Sequence, residues 1–293
     1  MSKPIDHFDE RLRVLVESAL DEDLGEGDHS TLAVIPADTR GRAVLKIKQE
    51  GILAGVNIAE QIFQIREPSA VFQRHRNDGD TIQSGDTAFE VEASVHTILA
   101  CERFVLNCMQ RMSGIATLTN QYIHAIRGFS TKILDTRKTT PGFRLLEKEA
   151  VRIGGGLNHR FGLFDMIMLK DNHIDYCGGI AKALDKAFDY KKQYKPGLKI
   201  EVEARSLDDV REVMASGKAD RILLDNFNPS LLAEALKLIG KKIETEASGS
   251  INLENIRDFA ATGVDFISIG ALIHQARSLD LSLKAVISPG LKA

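Results

Sequence analysis

The sequence predicts an α/β protein, and two observations predict it. After residue 130, short strand-like runs at 132–135, 166–170, 198–204, 220–225, 241–246 and 265–269 alternate with helical patterns at 178–194, 206–216, 229–239 and 252–261. Strands and helices alternating at intervals of about 20 residues mean parallel strands with helices packed outside them. Before residue 100 the pattern is different, with short strands broken by strong turn signals, which reads as a smaller α+β domain with an antiparallel sheet. At 293 residues the chain is long enough for two modest cores.

Taken in order, Phe8, Leu12, Leu15, Val16, Ala19 and Leu20 recur at helical spacing and give an amphipathic first helix ending before Gly25. Asp21, Glu22, Asp23, Glu26 and Asp28 crowd its end and read as a solvated turn, with metal binding as the alternative. Gly27-Asp28-His29-Ser30-Thr31 reads as a turn with a polar cap. Residues 41–56 alternate as a strand entering a glycine turn, and 57–65 return to helical spacing. From 71 to 91 come two short strands punctuated by Asn77-Asp78-Gly79-Asp80 and Ser84-Gly85-Asp86. Residues 95–127 carry an apolar helical stripe, with Gly114 expected to break it into two helices. Arg103 lies beside the stripe, where the plain expectation is a surface pair with Glu102.

Composition narrows the partners. A formal net charge of −3 argues against bulk nucleic-acid or acidic-membrane binding. The three cysteines, Cys101, Cys108 and Cys177, show neither CxxC nor ligand-like spacing and are expected to be free thiols. With no secretory run at the start and no apolar run of about 18 residues, the expectation is a cytoplasmic protein that does not span a membrane.

The charged strand ends suggest function, because a parallel barrel gathers its functional groups at the carboxyl ends of its strands. In order those ends carry Arg137 and Lys138, then Lys170, Asp171 and Asn172, then Glu201 and Glu203, Asp225 and Asn226, Ser248-Gly249-Ser250, and Gly270-Ala271. Between the first two lies a glycine-rich segment with His159 and Arg160. The basic block suits carboxylates or pyrophosphate. The acidic block suits sugar hydroxyls, a magnesium ion held through water or phosphate, or a cationic transition state. The small residues let backbone N–H groups approach a phosphate. A phosphoribosyl donor meets all three requirements, and no Ser-His-Asp order, cysteine nucleophile or GxGxxG fingerprint competes. Two further expectations concern the strands. They read as near-continuously apolar, as a sheet covered on both faces requires, and one of Glu201 and Glu203 is expected to face away from the interior.

The runs ERFVLNCMQRMSGIAT, DTRKTTPGFRLLEKEAVRIGGGLNHRFGLFD and LKDNHI, followed by EVEA, LLDNF, EASGSI and ISIGALIH, resemble the quinolinate phosphoribosyltransferase family, with GDHST and EGILAG earlier in the chain. The resemblance spans essentially the whole sequence. It implies a type II phosphoribosyltransferase with an N-terminal α/β-sandwich domain, 1–115, to which 276–293 is expected to return, and an incomplete α/β barrel of about seven strands, 116–275. It implies a homodimer in which one subunit's N-terminal domain covers the other's barrel mouth. Arg103 would then reach the partner's site and join Arg137, His159 and Arg160 around the two carboxylates of quinolinate. Lys138 and Lys170, with Glu203 (assigned in preference to Glu201) and Asp225, would face phosphoribosyl pyrophosphate as catalytic groups, the two carboxylates meeting Mg²⁺ indirectly. Ser248, Gly249 and Gly270 would take phosphate. Relatives usually have two glycines after this serine, whereas Ser250 stands in the second place here.

Overall fold

The structure is a computed structural model and describes residues 5–286. The chain divides into two units. One holds the described residues up to Asn120, together with Thr139–Gly155 and those from Leu272 on; the other holds Gln121–Lys138 and Gly156–Ala271.

The first unit opens with α1 (Phe8–Leu24), in which Leu12, Val16 and Leu20 lie one turn apart and are buried. That stripe is what folds the segment as an amphipathic helix. The carboxylate of Asp28 accepts the backbone N–H groups of Ser30 and Thr31 and so caps α2 (His29–Val34). Among the described residues, the acidic run before it forms no group able to hold a metal ion. Then come β1 (Arg40–Ile47), β2 (Gly51–Ile52), α3 (Val56–Arg66), β3 (Val71–Arg74), β4 (Thr81–Ile82), β5 (Thr87–Ser94) and α4 (Val95–Ala125). β1, β5 and β3 pair antiparallel, and Phe72 stacks on Phe89 at 4.4 Å between ring centroids. The region 71–91, expected to hold two strands, holds the short β4 besides β3 and the start of β5.

Contrary to the break expected at Gly114, α4 runs unbroken for 31 residues. A Cβ on Gly114 would sit 2.0 Å from the backbone O of Arg277. Glycine is there to let residues 277–278 lie against the helix, and that packing outweighs the roughly 1 kcal/mol that a mid-helix glycine costs.

Onward from α4 the chain forms β6 (Lys132–Leu134), α5 (Arg144–Ile153), β7 (Ile167–Leu169), α6 (Asp171–Cys177), α7 (Ile180–Tyr194), β8 (Ile200–Ala204), α8 (Leu207–Ser216), β9 (Arg221–Asp225), α9 (Pro229–Ile239), β10 (Glu244–Ser248), α10 (Ile256–Ala261), β11 (Phe266–Ser268), α11 (Ala271–His274) and β12 (Leu281–Ala285). β12 pairs with β1, from Ala43↔Ala285 to Ile47↔Leu281. The end of the expected returning segment, 287–293, lies outside the described residues. The excursion 139–155 also groups with the first unit, although a division at residue 116 assigns it to the second. Its tie is Glu147, fully buried on α5, which accepts hydrogen bonds from Nε and Nη2 of Arg111 on α4 at 3.1 and 2.9 Å.

In the second unit six strands form one parallel sheet in the order β6-β11-β10-β9-β8-β7. Leu157 adds a single-residue parallel bridge beside β6, donating to Ile133 O and accepting from the Asp135 N–H. Six strands and this bridge stand where the resemblance implies about seven. β6 and β7 are not paired with each other, so the barrel is incomplete at that side.

The strands are not apolar on both faces. Ile200, Val202, Ile222, Leu224, Ala247 and Ile267 share one face and are buried. The other carries Glu201 and Glu203, in register with Arg221 and Leu223, which pair in turn with Glu244 and Glu246. Residues i and i+2 of a strand share a face. Glu201 and Glu203 therefore point the same way, contrary to expectation, and differ only in depth.

Candidate active site

The carboxyl ends of β8 and β9 place Glu203 and Asp225 together. Burial raises the pKa of each above the ordinary carboxylate value; Asp225 pushes Glu203 further up, while Lys170 pulls both back. Lys138, beyond β6, also acts on Asp225. Two carboxylates and two ammonium groups from four different strand ends thus share one rim. Two of them have identifiable supports. The Nδ1 of His173 accepts the backbone N–H of Lys170 at 3.1 Å, and the backbone N–H of Asp171 donates to Glu203. These contacts come from the His173 ring and the Asp171 backbone.

Next along the rim, Asn226 takes the left-handed conformation, φ 58°, and its backbone N–H donates to Ser248 O at 2.8 Å. Its side-chain amide donates to Asp225 Oδ2 at 2.7 Å. Gly249, at φ 97°, has no room for a side chain, because a Cβ would lie 2.2 Å from Asn226 Oδ1. The glycine after Ser248 therefore makes space for the residue that orients Asp225. Gly270 lies two residues beyond β11 and immediately precedes α11.

The second cluster is cationic. Arg160 is buried, which lowers its pKa, and the guanidinium of Arg137 lowers it further. Its Nη1 makes a long contact with Met166 O, at 3.5 Å. The Nε of Arg137 is buried and has no hydrogen-bond partner among the described residues. Two guanidiniums close enough to repel, one with an orphaned donor and the other only partly offset by Glu201 and Asp165, suit an anion with at least two acceptor oxygens.

The ring of His159, also buried, lies against two carboxylates. The backbone N–H of His159 donates to Asp135 Oδ1 at 2.8 Å, its Nδ1 accepts the Arg160 N–H at 2.7 Å, and its Nε2 lies 2.9 Å from Glu201 Oε2 and 3.4 Å from Glu246 Oε2. Burial opposes charge on the ring, but the two carboxylates close to Nε2, Glu201 and Glu246, outweigh it and raise the pKa to about 9. The Arg160 N–H pulls the other way, since it requires a lone pair on Nδ1.

Comparison with known proteins names the architecture. Residues 28–113 match the model of the quinolinate phosphoribosyl transferase N-terminal domain, and 115–284 match that of its C-terminal domain. The chain belongs to the quinolinate phosphoribosyltransferase family. It is 44% identical over 297 residues to quinolinate phosphoribosyltransferase [decarboxylating] 1b of Nicotiana tabacum, covering 96% of this chain and 84% of that one. A probable nicotinate-nucleotide pyrophosphorylase [carboxylating] of Bacillus subtilis is 41% identical over 278 residues, 95% of this chain and 94% of the relative. Among solved structures, NadC from Streptococcus pyogenes superposes with a TM-score of 0.87 at 39% identity, covering 95% and 98% of the two chains.

Within this phosphoribosyltransferase, Arg137, Lys138, Lys170, Glu203, Asp225, Ser248 and Gly249 lie at or just beyond strand ends of the second unit, and Arg160 lies in the segment between the Leu157 bridge and β7. Arg103 does not; it is exposed on α4 in the first unit and makes no ion pair with Glu102. Ser250 is exposed, in the left-handed conformation at φ 53°, with its carbonyl accepting from Asn255. Sequence reasoning gave no role to Asp135, Arg221, Asn226 or Glu246. The period-two charges of IEVEA and ETEAS, which repeat on one strand face, were the available signal.

Proposed function

We propose that this chain transfers the phosphoribosyl group of phosphoribosyl pyrophosphate to quinolinate with decarboxylation, giving nicotinate mononucleotide, pyrophosphate and CO₂. The observation that carries this reading is the Arg137–Arg160 pair, two guanidiniums in mutual repulsion with an orphaned buried donor. A pyridine diacid supplies two carboxylates to neutralise them. Family membership and the names of the relatives support the same substrates.

The chemistry follows from the charges. The pyridine nitrogen attacks the anomeric carbon as the bond to pyrophosphate breaks, through a transition state with positive charge on the ribose. Glu203 and Asp225 flank that charge, and Lys138 and Lys170 meet the departing pyrophosphate. Groups already fixed in place need no reorganisation as charge develops, so electrostatic preorganisation is the main catalytic contribution. The ring nitrogen is then cationic and stabilises the carbanion left when the adjacent carboxylate departs as CO₂. That carbanion takes a proton to give the product. Ser248, Gly249 and Gly270 are assigned to the substrate's phosphate.

Glu203 and Asp225 offer two hard oxygen donors on one rim, a set that suits Mg²⁺ bound mainly through substrate oxygens and water. When bound, the ion would neutralise pyrophosphate charge. The active protein is further proposed to be a homodimer, with Arg103 serving the partner's site; its exposure, with no ion pair among the described residues, supports this. Among the described residues no helix is long and apolar enough to cross a membrane. A cytoplasmic location is proposed because all three cysteines are free, and burial raises the pKa of the Cys101 thiol to about 12.

The test is incubation with quinolinate labelled at the 2-carboxylate, phosphoribosyl pyrophosphate and Mg²⁺. One labelled CO₂ per nicotinate mononucleotide is expected. Turnover of a different aromatic acid with none of quinolinate would overturn the substrate assignment.

A further inference from the structure

Beneath the rim lies a buried charged cluster that the reaction does not use. Glu201 and Glu246 are fully buried, and both approach Nε2 of His159. Arg221 Nη1 donates to Glu246 Oε2 at 3.1 Å, and its guanidinium lies over the Phe266 ring, 4.2 Å from the centroid. Among the described residues, His159, Glu201 and Glu246 are the one group of His, Cys, Asp and Glu side chains close enough to hold a metal ion. A guanidinium already bonded to Glu246 argues against that use, since it puts a fixed positive charge beside any cation. Burying four ionisable groups is expensive unless they satisfy one another, so the cluster needs a reason to be there.

The open side of the barrel supplies one. Leu157 pairs with β6, but no strand pairing joins it to β7. Residues 158–160 cross this gap without a ladder to hold them, and they carry Arg160 to a place where Arg137 repels it. His159 ties this segment to three strands: its N–H donates to Asp135 after β6, and its ring lies against Glu201 on β8 and Glu246 on β10. The same ring's Nδ1 receives the Arg160 N–H, so the position of the ring sets the position of the Arg160 backbone.

We propose that Glu201, Glu246 and Arg221 are positioning residues for recognition of the diacid: acting through the His159 ring, they hold Arg160 against the repulsion of Arg137. On this account His159 is itself a positioning residue, and the substrate carboxylates are met by guanidiniums. The inference rests on the proposed function, because it takes the guanidinium pair to be the diacid site.

The test uses Glu201→Gln and Glu246→Gln in the full chain, each keeping side-chain size while weakening the grip on the ring. Quinolinate, the monoacid nicotinate and phosphoribosyl pyrophosphate are titrated separately, with thermal melting alongside. A guanidinium displaced by a fraction of an ångström should lower quinolinate affinity about tenfold or more. Nicotinate and phosphoribosyl pyrophosphate affinities should stay within about twofold, which narrows the preference for diacid over monoacid. Uniform loss of all three ligands with a lower Tm would mean that the cluster only supports the barrel, and would overturn the positioning role. Should Glu201→Gln fail to fold, Glu246→Gln carries the test. Unchanged quinolinate affinity in the variants, with binding by the unaltered chain intact, overturns this inference alone. No quinolinate binding by the unaltered chain overturns the proposed function, and this inference with it.

Discussion

Ser250 sits in a left-handed backbone conformation that a residue with a Cβ adopts at a cost of about 1–2 kcal/mol. Replacing it by glycine removes that strain but enlarges the conformational freedom of the unfolded chain. A net gain of about 0.5–1 kcal/mol is expected for Ser250→Gly, read as a Tm raised by a few degrees in a thermal melt. Asp225 stores a different tension. Its folded pKa is raised, chiefly by burial, so the folded state favours the protonated carboxyl. The resulting stability is fully present below the unfolded carboxylate pKa, about 4, and is lost as pH rises through the raised folded value. Asp225→Asn should therefore raise the Tm of the ligand-free chain at neutral pH, with little effect at pH 3, while abolishing turnover. A variant as labile as the parent at neutral pH would contradict the origin given for this shift. At this scale the sequence showed which side chains end the strands, because position along the chain suffices for that. It did not show that His159 turns inward, since residues 158–160 have no periodicity to orient them.

At the scale of elements, α4 and Gly114 give the sharpest case. Gly114→Ala would drive a methyl group into the backbone of Arg277, which cannot swing aside as a side chain would. A loss of about 3 kcal/mol is expected, seen as a lower denaturation midpoint at unchanged slope. An unaltered midpoint would show that the 277–278 segment is free to move away. Local pattern suggested a helix break because glycine weakens helices, whereas the residue that requires this glycine lies more than 160 positions away. The six strands of the barrel were legible as short runs recurring between helical patterns, and α7, α8 and α9 were legible from their periodicity. α5 and α6 were not identified, lying inside stretches read for their charges. The charged face of the sheet was misjudged for a related reason: counting each run as apolar hides an alternation in which every second residue of IEVEA is a carboxylate.

For the molecule as a whole, the proposed sharing of sites between subunits has a quantitative consequence. Arg103→Ala and Lys170→Ala homodimers should each be inactive, yet a dissociated and reassociated equal mixture contains heterodimers in which one site is intact. About a quarter of wild-type activity should return, since half the dimers are mixed and one of their two sites is complete. No recovery, with subunit exchange verified, would place Arg103 outside the site. The two-unit organisation was visible as a change from turn-rich antiparallel pattern to alternating strand and helix. The return of β12 to β1 and the attachment of α5 through Glu147 depend on pairings between residues far apart in sequence, which no local pattern records. The central claim is that Arg137 and Arg160 form one receptor for a pyridine diacid beside the carboxylates and lysines that serve the ribose. Calorimetric titration of Arg137→Ala tests it most directly. Quinolinate affinity should fall by at least about a hundredfold, roughly 3 kcal/mol, with phosphoribosyl pyrophosphate binding retained; unchanged quinolinate affinity would contradict the account.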